Sequence, residues 1–119
     1  RAVAEQPPAF EVQPLRDPAV EDLREQARQA EVRIDPEAAL AALDQALVLS
    51  PTDPELRQWR AEILLAKGRL EEAELAAAEA YESGPRVGSL CLRSWHTVRV
   101  AREARGLGDG AQRAVAMLD

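Results

Sequence analysis

The sequence predicts an all-α fold of stacked helix pairs, and three observations predict it. Residues recur at a spacing of 34: Ala27 returns as Ala61, Ala39 as Ala73, Ala46 as Ala80 and Pro51 as Pro85. A fixed period of that length, marked by small residues and proline, means that one helix pair is repeated and stacked on the next. The dipeptide Asp-Pro occurs three times, at Asp17-Pro18, Asp35-Pro36 and Asp53-Pro54, each time with Glu within the next three residues. Aspartate is a strong helix N-cap, proline suits the first helical position, and an acidic first turn complements the helix dipole. Hydrophobic residues make up 46% of the chain but aromatics only 3%, so alanine and leucine carry the apolar content, which favours helices at close approach over a bulky core.

The elements follow in order. Residues 1–16 contain Pro7, Pro8 and Pro14 without periodicity and read as an extended, flexible tether. Within it Phe10, Val12 and Leu15 alternate with polar neighbours, a pattern able to dock on the domain. Residues 17–119 form the helical domain, with helices expected at about 18–33, 36–49, 53–67 and 70–83. In the second of these, Ala39, Leu40, Leu43, Ala46 and Leu47 make one apolar stripe. The links are short enough only for antiparallel neighbours. A long arginine-rich helix is expected at about 87–105, broken by Gly106–Gly110, and a last helix at about 110–118. With Gly106 as the turn glycine, Trp95, Val98, Ala111, Val115 and Leu118 fall on packing positions. That register needs a four-residue insertion after Pro85, about one helical turn.

A chain of 119 residues is one domain, able to bury about two thirds of its unfolded surface. The net charge of −6 argues against a nucleic-acid binder. The charge is uneven. Residues 86–105 carry Arg86, Arg93, Arg99, Arg102 and Arg105 against Glu103 alone, a local +4 that leaves −10 for the rest. This is either a solvated helix face or a basic patch for an acidic partner. No apolar run reaches the roughly 18 residues of a membrane span. No signal-peptide pattern follows Arg1, so a targeting signal is expected outside this stretch.

An enzyme reading finds little support, and neither a cofactor nor a metal site is expected. Cys91 and His96 are five residues apart, hence rotated by about 140° on a helix, and cannot form a nucleophile–base pair. His, Cys and carboxylates show no metal-ligand spacing. The glycines around Gly108 lack the preceding strand and following Lys of a phosphate loop and read as a helix break. Trp59 and Trp95 are read as packing residues, becoming interface candidates if exposed.

The residues from Pro54 to Pro85 resemble the tetratricopeptide repeat family. The family's small residue in the first helix, its turn glycine, the two alanines of its second helix and its closing proline are met here by Ala61, Gly68, Ala73, Ala80 and Pro85. The preceding copy supplies Ala27, Ala39, Ala46 and Pro51, with Ile34 at the glycine site, and the third copy has Arg99 where the first helix has its small residue. The resemblance implies a right-handed superhelix of about three antiparallel helix pairs. It also implies a concave partner-binding groove lined by the first helix of each pair, which would include Arg24, Arg28, Gln58, Glu62, Leu65, His96 and Arg99. The chain lacks the Lys and Asn pattern by which chaperone-binding members clamp a C-terminal carboxylate, so that ligand is not carried over.

A narrower resemblance, to the periplasmic outer-membrane lipoproteins that activate a class A penicillin-binding protein in pseudomonads, rests on the Pro-rich tether, the repeats and the segment SLCLRSWHTVRVAREARG, Ser89 to Gly106. It implies a lipid anchor on a cysteine upstream of Arg1, a tether across part of the periplasm, and a monomeric repeat domain that docks on a peptidoglycan synthase. It also makes conceivable a disulfide from Cys91, the sole cysteine, to a cysteine beyond Asp119. The alternatives are a generic repeat adaptor with another envelope partner, or a self-associating structural protein whose third repeat stacks on a second copy. Size in solution separates the last from the others.

Overall fold

The computed structural model describes residues 16–85 and 87–117. They form helices α1 (Pro18–Val32), α2 (Pro36–Leu49), α3 (Pro54–Ala66), α4 (Leu70–Ser83), α5 (Ser89–Ala104) and α6 (Gly108–Ala116). The segment with Phe10, Val12 and Leu15 lies outside the described residues, as does Leu118.

The three Asp-Pro starts behave as their chemistry dictates. Asp17 accepts from the Ala19 amide, Asp35 from Ala38, and Asp53 from both Glu55 and Leu56. Proline occupies the first turn of α1, α2 and α3. The helices that lack this dipeptide, α4, α5 and α6, have no side-chain cap.

Each pair closes through the same turn. At Gly68 the amides of Gly68 and Arg69 return to the carbonyls of Leu65 and Leu64. At Gly106 those of Gly106 and Leu107 return to Glu103 and Arg102, and at Ile34 those of Ile34 and Asp35 return to Glu31 and Ala30. These are Schellman closures, which place one residue in the left-handed region. Here φ is +79° for Gly68, +77° for Gly106 and +58° for Ile34. Ile34 is thus the structural counterpart of the turn glycine, and Gly106 closes the third pair.

The helix limits shift slightly from expectation. Asp53 and Lys67 cap α3 from outside it, and Gly88 at φ +94° starts α5 two residues late. The break before α6 is confined to residues 105–107, with Gly106 at its centre, so Gly108 is already helical and α6 begins two residues early. The insertion sits inside α5, which has 16 residues against 13 in α3. About one extra turn keeps the same face inward.

The pairs α1–α2, α3–α4 and α5–α6 pack internally, and α2–α3, α3–α5 and α4–α5 contacts stack them in series. Small residues fill the seams: Ala27, Ala39, Ala46, Ala61, Ala73 and Ala80 are all fully buried, around Leu43, Leu56 and Leu64. Trp59 and Trp95 are half-buried and pack against this core, and Trp95 stands edge-on to Tyr81 with ring centroids 4.9 Å apart.

Candidate functional site

The stacking holds α1 and α3 apart, without backbone contact, and leaves an open groove of about 720 Å³ between them that side chains span. One wall is α1, through Arg24, Arg28 and Glu31; the opposite wall is α3, through Glu55, Trp59, Glu62, Ile63 and Ala66. Ile34, Asp35, Pro36 and Lys67 border the end formed by the turns, and Arg93 reaches in from α5.

Trp59 is the centre of this surface. Its indole N–H donates to Glu31 Oε1 at 2.8 Å, spanning the two walls. The Arg24 and Arg28 guanidinium carbons lie 6.0 and 5.8 Å from its ring centroid, within cation–π range. Arg24 pairs with Glu21 at 2.8 Å and Arg28 with Glu25 at 3.0 Å, each three residues back on the same helix. The Arg24 Nε is buried without an acceptor. Gln29 and then Arg28 hold the Glu25 carboxyl below its ordinary range by donating hydrogen bonds to it.

The remaining groove charges are committed elsewhere. Arg93 donates to both oxygens of Glu62, at 2.8 and 3.1 Å, and this pairing raises the Arg93 guanidinium above its ordinary range. Arg16 bonds Asp53 at 3.0 Å and Glu55 at 2.7 Å, closing the seam between the α1 and α3 starts. Asp35 caps α2, and Lys67 pairs with Glu37.

Of the residues the repeat pattern places in a groove, Arg24, Arg28 and Glu62 are brought together here. Gln58 is turned away from it and fully buried between α3 and α5, donating to Thr97 Oγ1 at 2.8 Å, to the Arg93 carbonyl at 3.3 Å and to Glu62 at 3.1 Å. Its position in the repeat faces the next pair rather than solvent. Leu65 packs half-buried against the core. His96 is exposed on α5, where Arg99 donates to its Nδ1 at 3.1 Å and to Glu103 at 2.8 Å. Neither His96 nor Arg99 borders the groove. Cys91 is buried while His96 is exposed, as their angular separation requires.

The arginines of α5 do not form a free basic patch. Arg93 meets Glu62, Arg102 meets Glu74 at 2.8 Å, Arg105 meets Glu74 and Glu71 at 2.8 and 3.1 Å, and Arg99 meets Glu103. The local positive charge is absorbed mainly by α3 and α4, and it fastens the third pair to the second.

Sequence reasoning passed over Trp59, Ile34 and Arg93 as groove residues. Trp59 both packs and borders the groove. A usable signal was present: Arg24 and Arg28, four apart, share one helix face, and one period on from Glu25 that face meets Trp59.

The tetratricopeptide repeat family model matches residues 34–88. No curated protein matches the chain by sequence. Among solved structures, the globular C-terminal domain of P. aeruginosa LpoP is similar at a TM-score of 0.73 and 25% identity, over 84% of this chain and 98% of that one. Fold and repeat together point to a protein-interaction module rather than a catalyst. Over residues 34–88 the chain matches the tetratricopeptide repeat model, and its helix pairs are stacked as in the LpoP C-terminal domain.

Proposed function

We propose that this chain is a non-catalytic interaction domain that binds and activates a class A penicillin-binding protein in the periplasm, held to the outer membrane by a lipid anchor on its parent protein. The observation that carries this reading is the groove between α1 and α3, with Arg24 and Arg28 gathered around Trp59. Aromatic and arginine side chains in a concave, part-apolar surface are the residue types that dominate protein interfaces. Support also comes from the likeness to the LpoP domain over almost its whole length, and from the Ser89–Gly106 segment, whose resemblance is to activators of this kind. The domain acts as a monomer, with the groove open to its partner.

The test is a titration of the domain against the periplasmic portion of a class A penicillin-binding protein, with peptidoglycan synthesis followed in parallel. Saturable binding in the micromolar range and a faster synthesis rate are expected. The double variant Arg24→Glu, Arg28→Glu is expected to abolish both while the helical signal is kept and the melting temperature falls modestly, because Arg24 is largely buried and each new Glu stands three residues from Glu21, Glu25 or Glu31. Binding that survives the charge reversal would move the contact surface away from the groove. Absence of binding at high concentration would leave an adaptor for another envelope protein.

A further inference from the structure

The two seams of the stack are built differently. Across the second, α5 lies against both α3 and α4. Buried groups seal it: Gln58 bonds Thr97 and the Arg93 carbonyl, Ser94, Val98 and Ala101 are buried on α5, and the Tyr81 and Trp95 rings meet. Across the first, among the described residues, α3 lies against α2 but not against α1, and side chains bridge the gap that forms the groove.

Those bridges are graded from one edge of the groove to the other. At the edge where α1 and α3 start, Arg16 bonds Asp53 at 3.0 Å and Glu55 at 2.7 Å, and the Arg16 and Asp53 side chains are only 11% and 10% exposed. Asp53 also caps α3, and Arg57 donates to the Pro51 carbonyl at 2.9 Å, so the α2–α3 link is tied down at the same edge. Toward the opposite edge, where the Ile34 and Gly68 turns lie, the ties are thinner. Lys67 pairs with Glu37, whose side chain is 70% exposed, and the Trp59 indole donates to the exposed Glu31. Exposed contacts of this kind are weak, and salt weakens the charged ones further.

We propose that the first helix pair is a hinged wall of the groove. It pivots at the edge fixed by Arg16 and the α2–α3 link. The Glu31–Trp59 and Lys67–Glu37 contacts latch it at the turn edge. The packing of α1 on α2, and of α3 to α6 on one another, makes each side of the hinge move as a unit. A weak latch beside a firm pivot keeps latched and open forms close in free energy, and a partner that binds one of them better draws the population to it. Helix α1 has 15 residues, about 22 Å of length, so a swing of about 10° carries its far end by about 4 Å. This device regulates the groove of the interaction reading above, and rests on that reading only for what the movement admits.

The test measures distances between paired spin labels on the whole domain, in a Cys91→Ala background that removes the native thiol. Arg33→Cys with Leu75→Cys spans the first seam at the turn edge. Ala19→Cys with Ser83→Cys spans it at the pivot edge, and Leu75→Cys with Ala104→Cys spans the second seam; all these positions are exposed. Removing the latch by Glu31→Ala with Lys67→Ala is expected to broaden the turn-edge distance and add a component about 4 Å longer. High salt should do the same in part. The pivot-edge and second-seam distances should stay unchanged, and the melting temperature should stay close to the parent's, which separates a swing from loss of folding. A turn-edge distance that neither the latch variant nor salt alters would overturn the proposal. Equal broadening at both edges would also overturn it, since that is loose docking without a pivot. The labels are read on the domain alone, so the two readings fail separately. A latch-dependent distance without synthase binding sinks only the functional reading, and synthase binding to a domain whose first seam never moves sinks only this one.

Discussion

Gln58 shows how a polar residue inside a seam of alanines and leucines acquires weight. It is fully buried, and its amide nitrogen serves Thr97 and the Arg93 carbonyl across the α3–α5 contact and Glu62 on its own helix. One such bond contributes on the order of 1 kcal/mol net, but a buried acceptor stripped of its donor costs about 1–3 kcal/mol. Truncation also leaves a cavity. Against this, the Gln58 Oε1 has no donor of its own, which reduces the worth of the native side chain. Gln58→Ala is therefore expected to cost about 2–3 kcal/mol, lowering the melting temperature by roughly 10–20 °C. Glu62→Ala removes the partly exposed partner of Arg93 and one of the three acceptors of the Gln58 amide, leaving the two on α5 in place, and should cost about 0–1 kcal/mol. Thermal melts of the two variants side by side check the contrast; equal melts would mean that Gln58 is not the fastener of that seam. Ile34 is the opposite case. Its left-handed backbone costs about 1–2 kcal/mol relative to glycine, with no burial in return.

At the scale of the helix, close approach is what the buried alanines secure. Ala73 on α4 is fully buried in the core that also holds Ala61 of α3, its helix partner. A leucine there has no space to enter without pushing the axes apart, so Ala73→Leu is expected to destabilise by about 1–3 kcal/mol, read as a lower midpoint in urea or on heating. An unchanged midpoint would show that this seam is looser than its burial implies. The elements themselves were legible where the chain carries local chemistry: the Asp-Pro starts predict α1, α2 and α3, and the spacing of 34 predicts the partner helices. The limits of α5 and α6 were less so, because an insertion of one turn within α5 lets two registers describe the same face. The groove was half legible. Arg24, Arg28 and Glu62 follow from their places in the repeat, whereas Gln58 occupies a place that faces the next pair. Trp59 reads as core in an aromatic-poor chain, and Ile34 reads as a lapse from the glycine pattern. Their common surface exists only once the spacing between α1 and α3 is known.

Across the whole molecule, the charges that look segregated along the sequence are mixed in space. The arginine-rich stretch meets carboxylates of α3 and α4, with Glu74 alone taking both Arg102 and Arg105, while Arg102 also bonds the Gly110 carbonyl and so links α6 to the stack. Most of these pairs are partly exposed, so each contributes little alone, and their collective effect is best read through pH. Among the described residues, two carboxyls are held below their ordinary value of 4.5: Glu25, by Gln29 first and then Arg28, and Glu72, by Arg69. A carboxyl whose folded value is depressed binds protons less readily in the folded than in the unfolded chain. Its contribution is therefore fully present above its unfolded value and is lost as the pH falls through the folded one. The melting temperature is expected to be flat between about pH 6 and 8 and to fall below about pH 4.5. Both groups lie at the surface, so the part due to these two carboxyls should be a shallow slope that added salt reduces further. Glu25→Gln with Glu72→Gln should melt slightly lower than the parent at neutral pH and converge with it in acid. Parallel curves that never converge would mean that the two carboxylates stabilise the fold through packing rather than charge.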